Sequence, residues 1–466
     1  MQTKEQKKRA QQKRAQKKQE KRSRYKENRK CWNLEEQEGR RLIFRLYKCI
    51  MHHFPDLFER LEEVPECRKK PHYKMVEILM AGVVLFVFKK GSRNAMNAEY
   101  KEPKFRRNYE RLFKVSLPHM DTVEDVLRVL KEEHLEVLKV ELVQCLLLKK
   151  RFRQFRLFGE YYEVVIDATH VIDVKEGHCE HCLHQTLKNG KVRYFHNVVE
   201  AKLVGSNGFC ISLATEWIEN KEEYDKQDCE FKSFKRLAEK LRTHYPRLKI
   251  CIVADGLYPN QSFFGICEAN GWQWIVTFKD GNLPTVWKDV ILRQGLERCR
   301  SRREEFASEG KSGTRRYEWI TNLEYEGFKL HWFECREKLG DKCKHFVYLS
   351  SFEVCYDNVR ELTAAGRMRW KIENEGFDVQ KNHGYGLGHK FSRVSMLAMK
   401  NYYQLMQVGH MMNQLFELGS LLSEVRWAKE SLIQVRDVLV GELRHEELDF
   451  SFLEILLSRR IRIGYD

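Results

Sequence analysis

The chain lacks an apolar run long enough to cross a bilayer. Its longest, MVEILMAGVVLFVF from Met75 to Phe88, has 14 residues and contains Glu77, against the roughly 20 that a spanning helix needs. This excludes membrane residence by that segment and predicts a buried helix instead. The amino-terminal segment lacks the apolar stretch of a secretory signal, which predicts a protein kept inside the cell with its 14 cysteines mostly reduced. No internal repeat stands out, which argues against a repeat array. Residues 1–30 almost lack apolar side chains and carry 14 Lys or Arg against three Glu. A segment of that kind cannot fold alone. Residues 1–35 are therefore expected to be a disordered basic tail, either becoming helical on a phosphate backbone or serving as a solvated solubility tail.

What the chain has in excess is positive charge. A net charge of +17 over 466 residues points to a polyanionic partner, nucleic acid before an anionic membrane surface. The length allows two or three domains, and the 42% hydrophobic content is that of a globular protein. Residues 36–155 read as a helical DNA-binding region, from RRLIFRLYKCIMHHF to a long stretch beginning at Met120, where Asp121 or Thr122 could cap a helix with Asp125 following. Between these helices Lys89, Lys90, Arg93, Lys104, Arg106 and Arg107 are interleaved with Asn94, Tyr100, Phe105 and Tyr109. That mixture suits DNA contact or a solvated loop.

The period changes at about residue 161. YYEVVID reads as a strand, HQTLKNGKVRYFHNVVEAKLV as a hairpin turning at Asn189-Gly190, and GFCISLATEWI as a third strand. Asp228 can cap a helix through Leu241; KICIVAD, a helix after Pro259 and GWQWIVTFK follow. The fold class is α/β: a mixed-sheet core in residues 156–285, a β-rich insertion at 286–355, final core helices at 356–415 and a helical carboxyl-terminal region at 416–466. Asp167 and Asp255 end strand-like runs, and Arg369 and Glu373 lie one helical turn apart beside an apolar stripe. Carboxylates converging on a cleft suit Mg²⁺ or Mn²⁺, and two such ions suit in-line attack on a phosphodiester.

These residues stand in motifs, VVIDAT at Asp167, IVADGLYP at Asp255 and RMRWKIE at Glu373, accompanied by PHMDTV at 118–123 and KQDCEFKSFKRL at 226–237. Over roughly residues 90–410 the chain resembles DDE transposases of the IS-four insertion-sequence group, whose third acid lies in Y-x-x-R-x-x-x-E with a Lys downstream. The resemblance implies an RNase H-like core, Mg²⁺- or Mn²⁺-dependent endonuclease and strand-transfer activity with Asp167, Asp255 and Glu373 as catalytic ligands of two ions, and double-stranded DNA, transposon ends and target, as substrate. It further implies a homodimer on that DNA and a cytoplasmic, nucleoid-associated location in a prokaryotic cell. Arg369 matches the motif as a phosphate-binding residue. Gly366 stands in the place of its Tyr, and Lys381, the second phosphate-binding residue, lies one position later than the usual spacing. Glu375 competes with Glu373 for the third position. His170 and Asp173 are near the first acid in sequence. A flipped base resting on aromatic residues would find Trp319 or Trp332 in the insertion, where core packing is the ordinary role. The rivals are an RNase H-like structure-selective nuclease and an inactive DNA-binding relative.

A second constellation is GHCEHCLH, with Cys179 and Cys182 at C-x-x-C spacing and His178, His181 and His184 nearby. In a reduced compartment this suits structural Zn²⁺. Pairing about Asn189-Gly190 would set His184 opposite Phe195 and bring His196 close, giving Cys179, Cys182, His184 and His196 as ligands.

Overall fold

A computed structural model of the protein describes residues 41–174, 179–220, 227–296, 299–308, 311–424, 431–459 and 463–465. The basic tail at 1–35 and His178 lie outside the described residues, as do parts of the 226–237 motif and of the carboxyl-terminal segment.

Ten strands form one sheet: β1 (Tyr162–Val174), β2 (Leu183–Thr186), β3 (Val192–Val204), β4 (Cys210–Ile218), β5 (Ile250–Ala254), β6 (Gln273–Thr277), β7 (Arg300–Ser308), β8 (Lys311–Tyr325), β9 (Phe328–Leu339) and β10 (Lys342–Ser350). The path runs β2-β3-β1-β5-β6-β10-β9-β8-β7, with β4 also on β3. β1, β5 and β6 are mutually parallel and lie at the centre. Their runs of Val and Ile are the composition of strands covered on both faces, and Val164, Val165, Ile166 and Ile250 through Ala254 are all buried. The parallel pairs need crossovers, supplied by the helices Glu230–His244 and Gln261–Ala269.

The segment expected as an insertion is antiparallel and mostly β, after a helix at Pro284–Gly295. It does not stand apart from the core sheet. β10 pairs with β6, Leu349 opposite Val276, so β7–β10 continue the same sheet. Its Trp319 and Trp332 are 2% and 0% exposed; both belong to the core and neither offers a face to a flipped base.

The apolar run forms the helix Met75–Val87, in which every residue except Glu77 is buried. It crosses the long helix Met396–Glu417 at close range. A Cβ on Gly82 would stand 2.7 Å from Leu405 Cδ1, and one on Gly409 would stand 2.7 Å from Phe86 Cβ. The two ends of the chain share one helical body. The Glu442 carboxylate, on the helix Leu432–His445, accepts hydrogen bonds from the Leu42 and Ile43 N–H groups at 3.1 and 2.8 Å, satisfying orphan donors that open the helix Leu42–His53.

Local start signals are displaced by a residue or two. His119, not Asp121 or Thr122, caps the helix Met120–Leu127, accepting from Asp121 N–H. The helix expected after Asp228 starts at Glu230, and Asp228 instead takes the Arg236 guanidinium at 2.7 Å. In the basic stretch at 89–109, Lys89 pairs with Glu417, Lys90 with Glu99, Arg93 with Asp121, Lys104 with Glu447 and Arg106 with Glu110. Phe105 and Tyr109 point into the core. Ion pairing and burial thus take up most of the side chains that suggested DNA contact.

Candidate active site and metal centre

Asp167 does not end its strand. β1 continues to Val174, and Asp167 lies opposite Glu200 of β3. On its other side β1 runs parallel to β5 in the register Val164↔Ile252 and Val165↔Val253. That pairing brings the end of β5, which Asp255 follows, to the stretch of β1 that leads to Asp167, so two β-branched strands carry acids far apart in sequence toward one end of the sheet. Asp255 follows the last residue of β5; its Oδ1 accepts from Leu257 N–H at 2.7 Å, and its Oδ2 lies 3.2 Å from Lys279 Nζ.

Glu373 arrives from the helical segment beyond β10. The helix Val359–Arg367 leads into a π-helical stretch, Ile372–Asp378, followed by the short helix Val379–Asn382. Arg369 connects this segment to β1: its Nη1 lies 2.9 Å from Glu373 Oε1 and 3.5 Å from Asp167 Oδ2. The same guanidinium lies 4.1 Å over the ring of Trp370, which is half exposed. Glu375 faces elsewhere, held by Lys371 at 2.6 Å. Of the two glutamates, Glu373 is the one that shares a cation with Asp167. Lys381 donates to Thr169 Oγ1 at 2.8 Å, two residues along β1 from Asp167.

Burial holds the Asp167 carboxyl up at about 7, with Glu230 and Glu373 adding to the rise and Arg369 opposing it. Glu230 is an acid that sequence reasoning missed. It opens the helix after β4, and its Oε1 accepts from Tyr258 Oη at 2.8 Å. Its carboxyl is raised by burial and then by Asp255. Its signals in the sequence are its place in the KQDCEFKSFKRL stretch and at a helix start, and the latter ordinarily means only complementarity to the helix dipole. Burial lowers the Lys381 ammonium, against the pull of Asp378 and Asp167. Four acids from β1, the end of β5 and two helical segments thus face a common region, with Arg369 and Lys279 among them.

His170 and Asp173, further along β1, turn to other partners. His170 Nδ1 lies 3.2 Å from Asn197 Oδ1, and Asp173 accepts from Arg193 at 2.6 Å.

The Cys/His constellation closes differently from expectation. β2 pairs with β3 as Leu183↔Phe195 and His184↔Tyr194, one residue out of the expected register. The turn is the cause: Leu187 pairs with Lys191, and Gly190 takes φ +81°, so the loop has three residues and not two. His184 pairs with Tyr194, two residues further out along β3 than His196, and is exposed there. Among the described residues His184 does not join the group of close ligand atoms. His196 is 1% exposed, and its Nε2 lies 3.5 Å from Cys179 Sγ and 3.2 Å from Cys182 Sγ; the two sulfurs are 3.4 Å apart. Burial keeps the His196 imidazole down at about 4 and the Cys182 thiol up at about 12. Among the described residues this is the one group of three metal-ligating side chains with all ligand atoms within 4.8 Å of one another, and it could hold a metal ion such as zinc. The carboxylates around Asp167 are more widely spaced. Among the described residues no helix is long and apolar enough to cross a membrane. Comparison of the chain with protein-family models and with curated proteins finds no match.

Proposed function

We propose that the protein is an insertion-sequence transposase of the DDE type, which cuts DNA at element ends and joins the freed 3′ hydroxyl to target DNA. The observation that carries this reading is Arg369 bridging Asp167 and Glu373, with Asp255 just past the end of β5, the strand parallel to β1. Strand order adds support. Three antiparallel neighbours, β4-β3-β1, followed by parallel β5 and β6, fit the RNase H-like pattern expected of that group.

The donor set is hard oxygen alone, and a buried acid raised to about 7 is a group whose ionised form gains from a nearby cation. Asp167, Asp255 and Glu373 would hold two Mg²⁺ or Mn²⁺ ions, whose chemistry there is activation of the attacking hydroxyl and stabilisation of the leaving oxygen. Arg369 orients Glu373 and offers its remaining N–H donors to a phosphate near the scissile bond. Lys381 supplies a second cation beside Thr169. Its late position in the motif has a physical counterpart: a π turn closes i→i+5 bonds in place of i→i+4 and so takes up one residue more. The residue added between Glu373 and Lys381 falls where Ile372–Asp378 is π-helical, keeping both side chains toward β1. The motif's Tyr has no place at 366, because a Cβ there would lie 2.6 Å from the ring of Tyr348 on β10. Trp370, half exposed beside Arg369, is the aromatic surface on which an unstacked base would rest.

The test is strand transfer in Mg²⁺ on duplexes carrying the sequences that flank the gene. Wild type should both cleave and join, and Asp167→Ala and Asp255→Ala should do neither while still binding DNA. Joining by either variant sinks the assignment, and cleavage without joining by the wild type favours the structure-selective nuclease.

A further inference from the structure

We infer that Cys179, Cys182 and His196 bind a structural zinc ion that anchors the β2–β3 hairpin to the sheet. The geometry of the trio is the first argument. In a tetrahedral site with Zn–S near 2.3 Å and Zn–N near 2.0–2.1 Å, neighbouring ligand atoms stand about 3.5–3.8 Å apart. The three separations here, 3.2, 3.4 and 3.5 Å, need to open by only a few tenths of an ångström. A Cys179–Cys182 disulfide is not formed, since its sulfurs would stand about 2.05 Å apart.

The surroundings are built to hold the trio. Cys182 N–H donates to Cys179 O at 3.2 Å, closing the knuckle. Asn220, just beyond β4, clamps it: its Nδ2 donates to Cys182 O at 2.9 Å and its N–H to His181 O at 3.2 Å. His196 is fixed from below by β1, where it lies opposite Ile172. Among the described residues its Nε2 has the two sulfurs as its hydrogen-bond partners, poor ones for a fully buried imidazole nitrogen. Glu219, whose charge reaches both Cys182 and His196, lies outside the group of close ligand atoms, and the fourth position would fall to water.

The hairpin gives the site its purpose. Residues 184–192 are exposed throughout, and β2 pairs with β3 alone. A short two-stranded projection with no apolar face is marginal in water and needs a cross-link at its base. The hairpin carries Lys188, Lys191 and Arg193, so a zinc staple would hold a basic finger at a fixed angle to the sheet. It would act apart from the acid cleft, and the inference does not rest on the transposase reading.

The experiment is metal analysis of the full chain, purified with zinc supplied and dialysed free of unbound metal. Wild type should carry one zinc per chain; Cys182→Ser and His196→Ala should lose it, and His184→Ala and Asp167→Ala should keep it. Replacement by Co²⁺ in the wild type should give thiolate-to-metal charge-transfer absorption, a readout that stands even where a variant fails to fold. Chelation should speed tryptic cleavage at Lys188 and Lys191. Wild-type protein without zinc and without the cobalt signature overturns the inference. So does a folded Cys182→Ser protein with full zinc content, or an oxidised Cys179–Cys182 pair in protein kept under reducing conditions.

Discussion

Replacing Asp167 by Asn should stabilise the protein above neutral pH. The side chain is 18% exposed, and its carboxyl is raised from 3.8 to about 7 by burial, then by Glu230 and Glu373, against the pull of Arg369. Below about pH 4 the group is protonated in folded and unfolded chains alike and contributes nothing to the pH dependence. Between about pH 4 and pH 7 the unfolded chain has lost its proton while the folded chain retains it, so stability falls as pH rises, by about 1.4 kcal/mol per unit. Above about pH 7 the whole penalty stands. Some three units at that rate give at most about 4 kcal/mol. Asparagine fills the same space without the charge and should recover most of it. With an unfolding entropy of about 2.1 cal/mol/K per residue, a chain of 466 residues changes by about 1 kcal/mol per degree, so the melting temperature at pH 8 should rise by up to about 4 °C. At pH 4 the two proteins should melt together. Mg²⁺ should raise the melting temperature of the wild type at pH 8, because a bound cation offsets the cost of the buried charge, and should do so much less for Asp167→Asn. Thermal melts at pH 4, 6 and 8 with and without Mg²⁺ decide the matter. A variant less stable than wild type at pH 8, or equal stabilisation of both proteins by Mg²⁺, refutes the reasoning.

Arg369→Ala removes the cation that opposes protonation of Asp167; the pH at which Mg²⁺ begins to bind should rise, and strand transfer at pH 7 should fall at least tenfold, read from a pH series of the transfer assay. Gly366→Ala places a methyl 2.6 Å from the Tyr348 ring. It should cost about 1–3 kcal/mol, and a Tyr348→Ala background should abolish that extra cost in a double-mutant cycle of denaturant melts. Trp370→Ala, at a half-exposed position, should leave stability within about 0.5 kcal/mol yet weaken binding to a duplex with an unpaired base by about 1–3 kcal/mol, measured by fluorescence anisotropy.

Much of the sheet could be read from the sequence because its central strands are runs of Val and Ile, and the buried helix at 75–87 because almost nothing in it is polar. Ala-Thr-His after Asp167 reads as a break, which sets Asp167 at a strand end. The ladder to β3 carries β1 seven residues further, through a bulge between His170 and Ile172, and such pairing is invisible locally. Asn189-Gly190 marks the turn correctly, but a two-residue and a three-residue loop share that signature, and the pairing falls one residue out of the expected register. The π-helical stretch around Glu373 and the docking of β10 on β6 both depend on partners distant in sequence. Glu230 escaped notice for the same reason: only tertiary structure brings it near Asp167 and Asp255.

On the proposed function, Asp167, Asp255 and Glu373 hold a pair of divalent ions. Crystals soaked in Mn²⁺, with data collected at the manganese edge, test it directly. Anomalous peaks should appear between the Asp167, Asp255 and Glu373 carboxylates in the wild type and be lost in Asp167→Asn. Manganese bound elsewhere, with the three carboxylates still turned to Arg369 and Lys279 alone, would contradict it.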